Sequence, residues 1–322
     1  MSSNVILFGL GKMGYLYDAE NRDNNVVLTH FSAIKESLKL NLVAIIETDS
    51  NRHKHLHKEF SSLLYADVNQ IEITEKIDLV VIATPSKTHL EVVRAALKLS
   101  PRVILLEKPV ANTLPDALEI FNLASESGVQ IFINYQRNYH HEFRNLALDI
   151  SQGRTQGPFV FTGWFNNGWL NNCSHLLALY LGLFPNGFDD LKISANNEDL
   201  LAWKTSDGSA QFINLKDFDG AFFSFELICK NRTYRYDSHF NTLRISELTQ
   251  SQFFPKENSL SFPELSIDMN ESNMLREVYG QLENYLSGSS SFTFSLEKGV
   301  MIVKLLSDLM QNRENGGSAL GI

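Results

Sequence analysis

The chain has 322 residues, 43% of them hydrophobic and 20% charged, enough for two globular domains that each bury a core. Its formal charge of −9 argues against a nucleic-acid backbone as the main partner, while leaving small anions to locally clustered lysines and arginines. The cysteines Cys173 and Cys229 have neither a CxxC spacing nor a histidine cluster, so neither a metal site nor a disulfide framework is expected.

No basic segment leads into a signal-type apolar core, and no apolar run approaches the ~20 residues of a membrane span. A cytoplasmic protein without membrane contact is expected, and the sequon Asn231-Arg232-Thr233 is read as incidental.

The first predicted strand, Val5-Ile6-Leu7-Phe8, runs straight into Gly9-Leu10-Gly11-Lys12-Met13-Gly14. A strand followed by GxGxxG is the context of a dinucleotide fingerprint. Gly9 permits the tight turn, Gly11 the approach of a pyrophosphate, and Gly14 close packing of helix on strand. Backbone amides at the helix start would hold the anion. A polar stretch, Tyr15–Thr29, reads as an insertion in the first crossover, followed by helix-like residues from His30 to Leu38. In it, Tyr17 and Asp18 either cover the pyrophosphate or belong to a surface loop.

The second strand, Leu42–Ile46, ends in Glu47, where a carboxylate would accept hydrogen bonds from an adenosine ribose and repel a 2′-phosphate. NAD is therefore expected over NADP, with Arg52 and Lys54 nearby as the feature that would admit the latter. A third buried strand, Asp78–Ala83, precedes Thr84-Pro85-Ser86 and a helix from Thr88 to Leu99. That turn reads either as a loop against a cofactor or as an ordinary helix cap.

Val103–Leu106 is again uniformly aliphatic and ends in Glu107-Lys108-Pro109, which puts a charged pair at the carboxyl end of a buried strand. A helix from Pro115 to Glu126, closed by Gly128, leads to a last strand, Val129–Asn134. The alternation of strand and helix implies an α/β domain with a doubly wound parallel sheet over residues 1–136.

Beyond it, Tyr135–His140 leads into a helix from His141 to Ser151. Strand-like runs follow at Phe159–Phe165, Ser209–Leu215, Ala221–Cys229, Thr233–Tyr236 and Thr242–Ser246, most without intervening helices. Residues 137–322 are thus expected to form an α+β domain with an antiparallel sheet. Its two closing helices begin near Ser272 and at Ser295. An open sheet face would expose apolar surface, so a homodimer or homotetramer is expected.

Gly9–Gly14, Glu47, Ala83-Thr84-Pro85 with His89, and above all Glu107-Lys108-Pro109 resemble the glucose–fructose oxidoreductase/inositol dehydrogenase (Gfo/Idh/MocA) family. The resemblance is close over roughly the first 140 residues and looser beyond, and it implies a Rossmann domain followed by an α/β domain on a large, mostly antiparallel open sheet. It also implies an NAD(P)-dependent enzyme acting on a carbinol or carbonyl of a sugar-type molecule.

By that resemblance Gly9, Gly11, Lys12, Met13, Gly14 and Glu47 hold the cofactor, together with Ala83, Thr84, Pro85, His89, Glu107 and Lys108. Lys108 and His175 are the implied catalytic pair, and Arg137, Tyr139, Asn171 and Asn172 the implied substrate contacts. Arg137 and Tyr139 also fit plain crossover packing. Where family members carry two aspartates, this chain has Asn171 and Ala178. That departure leaves open a catalytically idle, NAD-binding regulator of the same fold. The Tyr15–Thr29 insertion resembles members associated with bacterial surface-polysaccharide synthesis.

Overall fold

A computed structural model of the chain describes residues 2–20, 26–54, 58–71, 75–189, 191–220, 222–251, 253–254, 256–260, 265–270, 273–289 and 294–314. The chain forms two compact units, Met1–His140 with Ser272–Val303, and His141–Glu271 with Lys304–Ile322.

In the first unit six strands pair in parallel: β1 (Ser3–Phe8), β2 (Leu40–Ile46), β3 (Leu64–Tyr65), β4 (Leu79–Ile82), β5 (Val103–Leu106) and β6 (Gln130–Ile133). Their order, β3-β2-β1-β4-β5-β6, is that of a Rossmann fold, with the switch point between β1 and β4. β4 and β5 are aliphatic at every position and wholly buried, as strands covered on both faces must be.

The connecting helices are α1 (Tyr17–Glu20), α2 (His30–Glu36), α3 (Ser50–His53), α4 (His89–Leu97) and α5 (Leu114–Ser127). Local chemistry sets the limits of α5: Thr113 caps its start by accepting from the Asp116 N–H, Pro115 sits in its first turn, and Gly128 ends it in the left-handed region. β3 was not legible in the sequence, because two half-buried residues carry no periodic signal.

The strands end in register. Phe8 lies beside Ile46 and Ile82, Ile82 beside Leu106, and Leu106 beside Ile133. The ladder then continues one residue further: Gly9 N–H donates to Ile46 O, Ala83 to Phe8 O, Glu107 to Ile82 O and Asn134 to Leu106 O, all at 2.8–2.9 Å. Gly9, Glu47, Ala83, Glu107 and Asn134 therefore form one row along the carboxyl edge of the sheet.

Among its described residues the second unit begins with α6 (His141–Ser151) and contains α7 (Ser174–Leu183) and nine strands. These are β7 (Phe159–Phe165), β8 (Lys192–Asn196), β9 (Leu200–Thr205), β10 (Gly208–Asn214), β11 (Phe223–Ile228), β12 (Arg232–Asp237), β13 (Thr242–Gln250), β14 (Asn258–Leu260) and β15 (Leu265–Asp268). Among the described residues all pairs are antiparallel except β7 with β10.

Alternate residues face an aromatic core in which Phe161 stacks on Phe225 at 5.3 Å and Trp203 on Phe212 at 4.9 Å, with Tyr180 of α7 beside them. On the opposite face Val160 and Ile228 are paired across β7 and β11, at 38% and 43% exposure. β8 and β9 lie outside the predicted strands, because lysine, asparagine and threonine mask their alternation.

Two helices close the chain, α8 (Met274–Leu286) and α9 (Leu296–Glu314). α8 belongs by packing to the first unit. Arg276 pairs with Glu36 at 2.8 Å, Ser37 donates to Glu283 at 2.5 Å, and Tyr279 reaches His30 at 2.9 Å. A single cut after residue 136 assigns these residues to the other domain, since contacts some 240 positions apart leave no local trace.

Candidate functional site

The glycine turn leaves β1 with Gly9 at φ +94°, a conformation that favours glycine. A β-carbon there would stand 2.8 Å from the Ala83 carbonyl oxygen, and one on Gly14 would stand 2.0 Å from the Gly9 carbonyl oxygen. Gly9 thus lets β1 and β4 meet at the switch point, and Gly14 lets the next turn sit on the loop. That next turn is π-helical, Lys12–Leu16, with the Leu16 N–H on Gly11 O at 3.0 Å, and it runs into α1. Lys12 is exposed and lies 5.9 Å from the Tyr17 ring, while Met13 is half-buried.

Asp18 accepts from Leu28 N–H, Thr29 N–H and Thr29 Oγ1, at 2.6–2.9 Å. It ties α1 to the residues just before α2, while positions 21–25 of the inserted stretch lie outside the described residues.

A cleft of about 540 Å³ opens beside this turn, lined by Gly9, Glu47, Asp49, Arg52, Thr84 and Pro85 among others. Thr84 Oγ1 is buried there and makes no hydrogen bond to the described residues. A glycine turn closed tightly against the switch point, plus an unmatched buried hydroxyl beside it, fits a bound dinucleotide. Glu47 is only 4% exposed: Oε2 accepts from the Leu10 N–H at 2.7 Å and from Arg52 Nη1 at 3.2 Å, and Oε1 accepts from the Asp49 N–H at 2.8 Å. It therefore ties the glycine turn to the end of β2. A second cleft of about 550 Å³, walled by Phe159, Tyr180 and Phe184, contains none of the sequence-predicted site residues.

At the end of β5, Glu107 Oε1 meets His30 Nε2 at 2.8 Å and accepts from Asn134 Nδ2 at 2.6 Å, while Oε2 accepts from the Lys108 N–H at 3.3 Å. Burial pushes this carboxyl up, but the His30 hydrogen bond and charge, with Asn134 and Lys108, hold it below its ordinary value. Lys108 is held below the ordinary lysine value, chiefly by burial and further by the like charge of Arg137, against the opposing pull of Glu107. His89 is 0% exposed, with Nδ1 3.1 Å from the carbonyl oxygens of Pro109 and Val110 and Nε2 3.0 Å from Thr84 O. It clamps the loop after β4 to the loop after β5, and burial keeps its pKa low despite the carbonyls around it.

The short 3-10 turn Gln136–Tyr139 carries Arg137 near Lys108. Tyr139 is 0% exposed and its hydroxyl donates to Ile133 O at 2.9 Å, which makes it crossover packing rather than a group presented to a substrate.

In the second unit Gly168, at φ +90°, opens a π-helical turn, Trp169–Cys173, that feeds α7. Asn171 is exposed, and Asn172 and His175 are half-buried. His175 stands edge-on to Phe223 with ring centres 6.3 Å apart. Ala178 is buried in α7, and both cysteines are buried thiols, pushed up by burial, Cys229 to about 12. Sequence reasoning missed Arg313: its guanidinium lies 4.2 Å over the Trp169 ring and its Nε donates to Asn196 at 2.6 Å, fixing the turn that carries Asn171 and Asn172. An arginine near the end of a long helix gives no sign of such a partner.

Residues 3–135 match the family described as "Oxidoreductase family, NAD-binding Rossmann fold" (GFO_IDH_MocA). An inositol 2-dehydrogenase of Rubrobacter xylanophilus is 25% identical over 127 residues, 39% of this chain and 36% of that protein. A 2,7-anhydro-N-acetylneuraminate hydratase of Escherichia coli is 23% identical over 172 residues, 53% of this chain and 42% of that protein. The matched stretches thus span well under half of either relative. Over the whole chain the fold is similar to that of the Gal80p super-repressor mutant of Saccharomyces cerevisiae, with TM-score 0.77, 15% identity, and 99% and 98% of the two chains covered. With its fingerprint turn and EKP loop in this arrangement, the stretch 3–135 is similar to the NAD-binding Rossmann domain of the Gfo/Idh/MocA oxidoreductases.

Proposed function

We propose that the protein is an NAD(P)-dependent dehydrogenase or reductase of a sugar-type small molecule, working in the cytoplasm as a homodimer or homotetramer, in surface-polysaccharide sugar synthesis. The observation that carries this reading is the row of post-strand residues beside the cleft, where the glycine turn, Thr84 and the EKP loop come together. Bound nicotinamide supplies the hydride acceptor or donor. Gly11 lets the backbone approach its pyrophosphate, Gly9 and Gly14 close the turn that presents the amides, and Thr84 offers a hydroxyl. Glu47, Asp49, Asp67 and Glu91 place negative charge around the cleft, which supports NAD as the preferred form.

Lys108 would donate to the reacting oxygen as negative charge develops on it, and His175 would take the hydroxyl proton. A lysine whose pKa burial has lowered would also serve in the exchanged role. Asn171 would orient the substrate or the histidine without adding a charge.

Asn171 and Ala178, in place of two carboxylates, favour a second reading: an NAD-binding regulator without turnover. NADH fluorescence titration followed by a panel of sugars, cyclitols and nucleotide sugars separates the two. NADH binding plus turnover that Lys108→Ala lowers at least ~100-fold supports the enzyme, a loss in the range of one general acid–base group. Binding with no turnover on any panel member supports the regulator, and no dinucleotide binding overturns both.

A further inference from the structure

The second unit holds a cleft of about 550 Å³ between the end of α7 and the turn that joins β9 to β10. One wall of it is aromatic. Phe159 and Phe161 share one face of β7, and Tyr180 and Phe184 stand one turn apart at the end of α7. Phe184 lies 5.1 Å from Phe159 and 5.0 Å from Tyr180, and Tyr180 lies 5.4 Å from Phe161, between ring centres. Asp189 and Asp207 also line the cleft, both exposed, whereas among the described residues no lysine, arginine or histidine does. Among those residues neither carboxylate has a hydrogen-bond or ion-pair partner, and no acceptor takes the Tyr180 proton. Tyr180 is only 4% exposed. Burial, and then the Asp207 charge, push its hydroxyl up against the pull of Trp203, so it stays protonated at neutral pH.

Two features of the cleft attract the same kind of ligand. Aromatic rings draw cations to their faces, and ionised carboxylates accept hydrogen bonds but donate none. An ammonium satisfies both, through cation–π contact and charge-assisted N–H···O bonds. The aromatic wall adds a preference for a hydrocarbon body, and the volume suits a small molecule.

We propose that this cleft is a second ligand site, sharing no residue with the dinucleotide cleft, and that it takes a small organic ammonium. The hydrocarbon part lies against Phe159, Tyr180 and Phe184, and Asp207 and Asp189 hold the nitrogen. Nothing in this site depends on a bound dinucleotide.

The test titrates the full chain by calorimetry with phenethylammonium, with 2-phenylethanol as its neutral counterpart and phenylacetate as its anionic one. The ammonium is expected to bind at least ~10-fold more tightly than the alcohol, as two partly screened ion pairs allow, and phenylacetate more weakly than either. Added salt should narrow that preference. Asp189→Asn/Asp207→Asn should bring ammonium and alcohol within about twofold of each other, with Tm unchanged. Asparagine at 207 keeps a good turn residue between β9 and β10. Phe184→Ala should weaken the ammonium ~5-fold, the scale of one cation–π contact.

Equal affinity of wild type for ammonium and alcohol overturns the proposal, as does failure to bind the ammonium at all. So does a preference that survives in the double variant, which would place the amine elsewhere. If the double variant does not fold, Asp207→Asn alone decides, and an unchanged preference there overturns the proposal.

Discussion

A carboxylate that is 7% exposed, as Glu107 is, persists in its charged form only with partners on its oxygens, and His30, Asn134 and the Lys108 N–H supply them. Because its folded pKa lies below the unfolded value of about 4.3, the unfolded chain takes up the proton first. The stability this carboxylate contributes is complete above that value and is lost as pH falls through the lower, folded one. Glu107→Gln is expected to cost about 1–3 kcal/mol at neutral pH and to flatten the acid side of a Tm-versus-pH curve. An acid limb identical to that of wild type, by calorimetry, would remove Glu107 from this role.

Lys108 yields a second residue-level prediction. Arg137 lowers its pKa, so Arg137→Ala should raise it and slow acetylation of Lys108 at a given pH below that value. Peptide mapping after timed acetylation reads the rate profile, and a shift to lower pH would contradict the assignment.

Among the elements, the glycine turn tolerates the least change. A methyl on Gly14 would overlap the Gly9 carbonyl at 2.0 Å, against backbone that cannot step aside without moving the π turn and α1. Gly14→Ala should cost at least the ~1–3 kcal/mol of ordinary overpacking and abolish NADH fluorescence enhancement. A variant that binds NADH like wild type would show that the turn relaxes freely.

α8 meets a milder case. Tyr279→Phe removes the hydroxyl on His30 Nδ1 and should cost about 1 kcal/mol, a Tm decrease of roughly 2–4 °C in a calorimetric scan. No change in Tm would mean that the hydroxyl contributes no net stability where it stands.

On the scale of the whole molecule, the open face of the second sheet carries Val160 and Ile228 side by side, flanked by the Glu226–Arg235 pair at 2.7 Å. Lone exposed apolar residues are ordinary, but a cross-strand pair on a nine-stranded sheet suits a symmetric, self-complementary contact. Light scattering at micromolar concentration should give a dimer or tetramer, and Ile228→Lys should lower the mass while leaving NADH affinity unchanged. A monomeric wild type would count against this use of the sheet.

The sequence alone determined the buried strands of the first domain and the motifs at their ends, because uniform aliphatic runs and a glycine-spaced turn are local signals. Gly9, Glu47, Thr84 and Glu107-Lys108 could be found by reading outward from each strand. Strands with mixed faces, such as β8 and β9, were lost among polar residues. The tertiary structure alone decided who meets whom. It engaged Glu47 with Leu10, Asp49 and Arg52, made His89 a clamp between two loops, and drew Tyr139 into the core. It also brought α8 back to His30 and set Arg313 on Trp169. The physical reason is the same in each case: a side chain's function depends on partners brought to it by strand register and helix packing, across separations that no local pattern records.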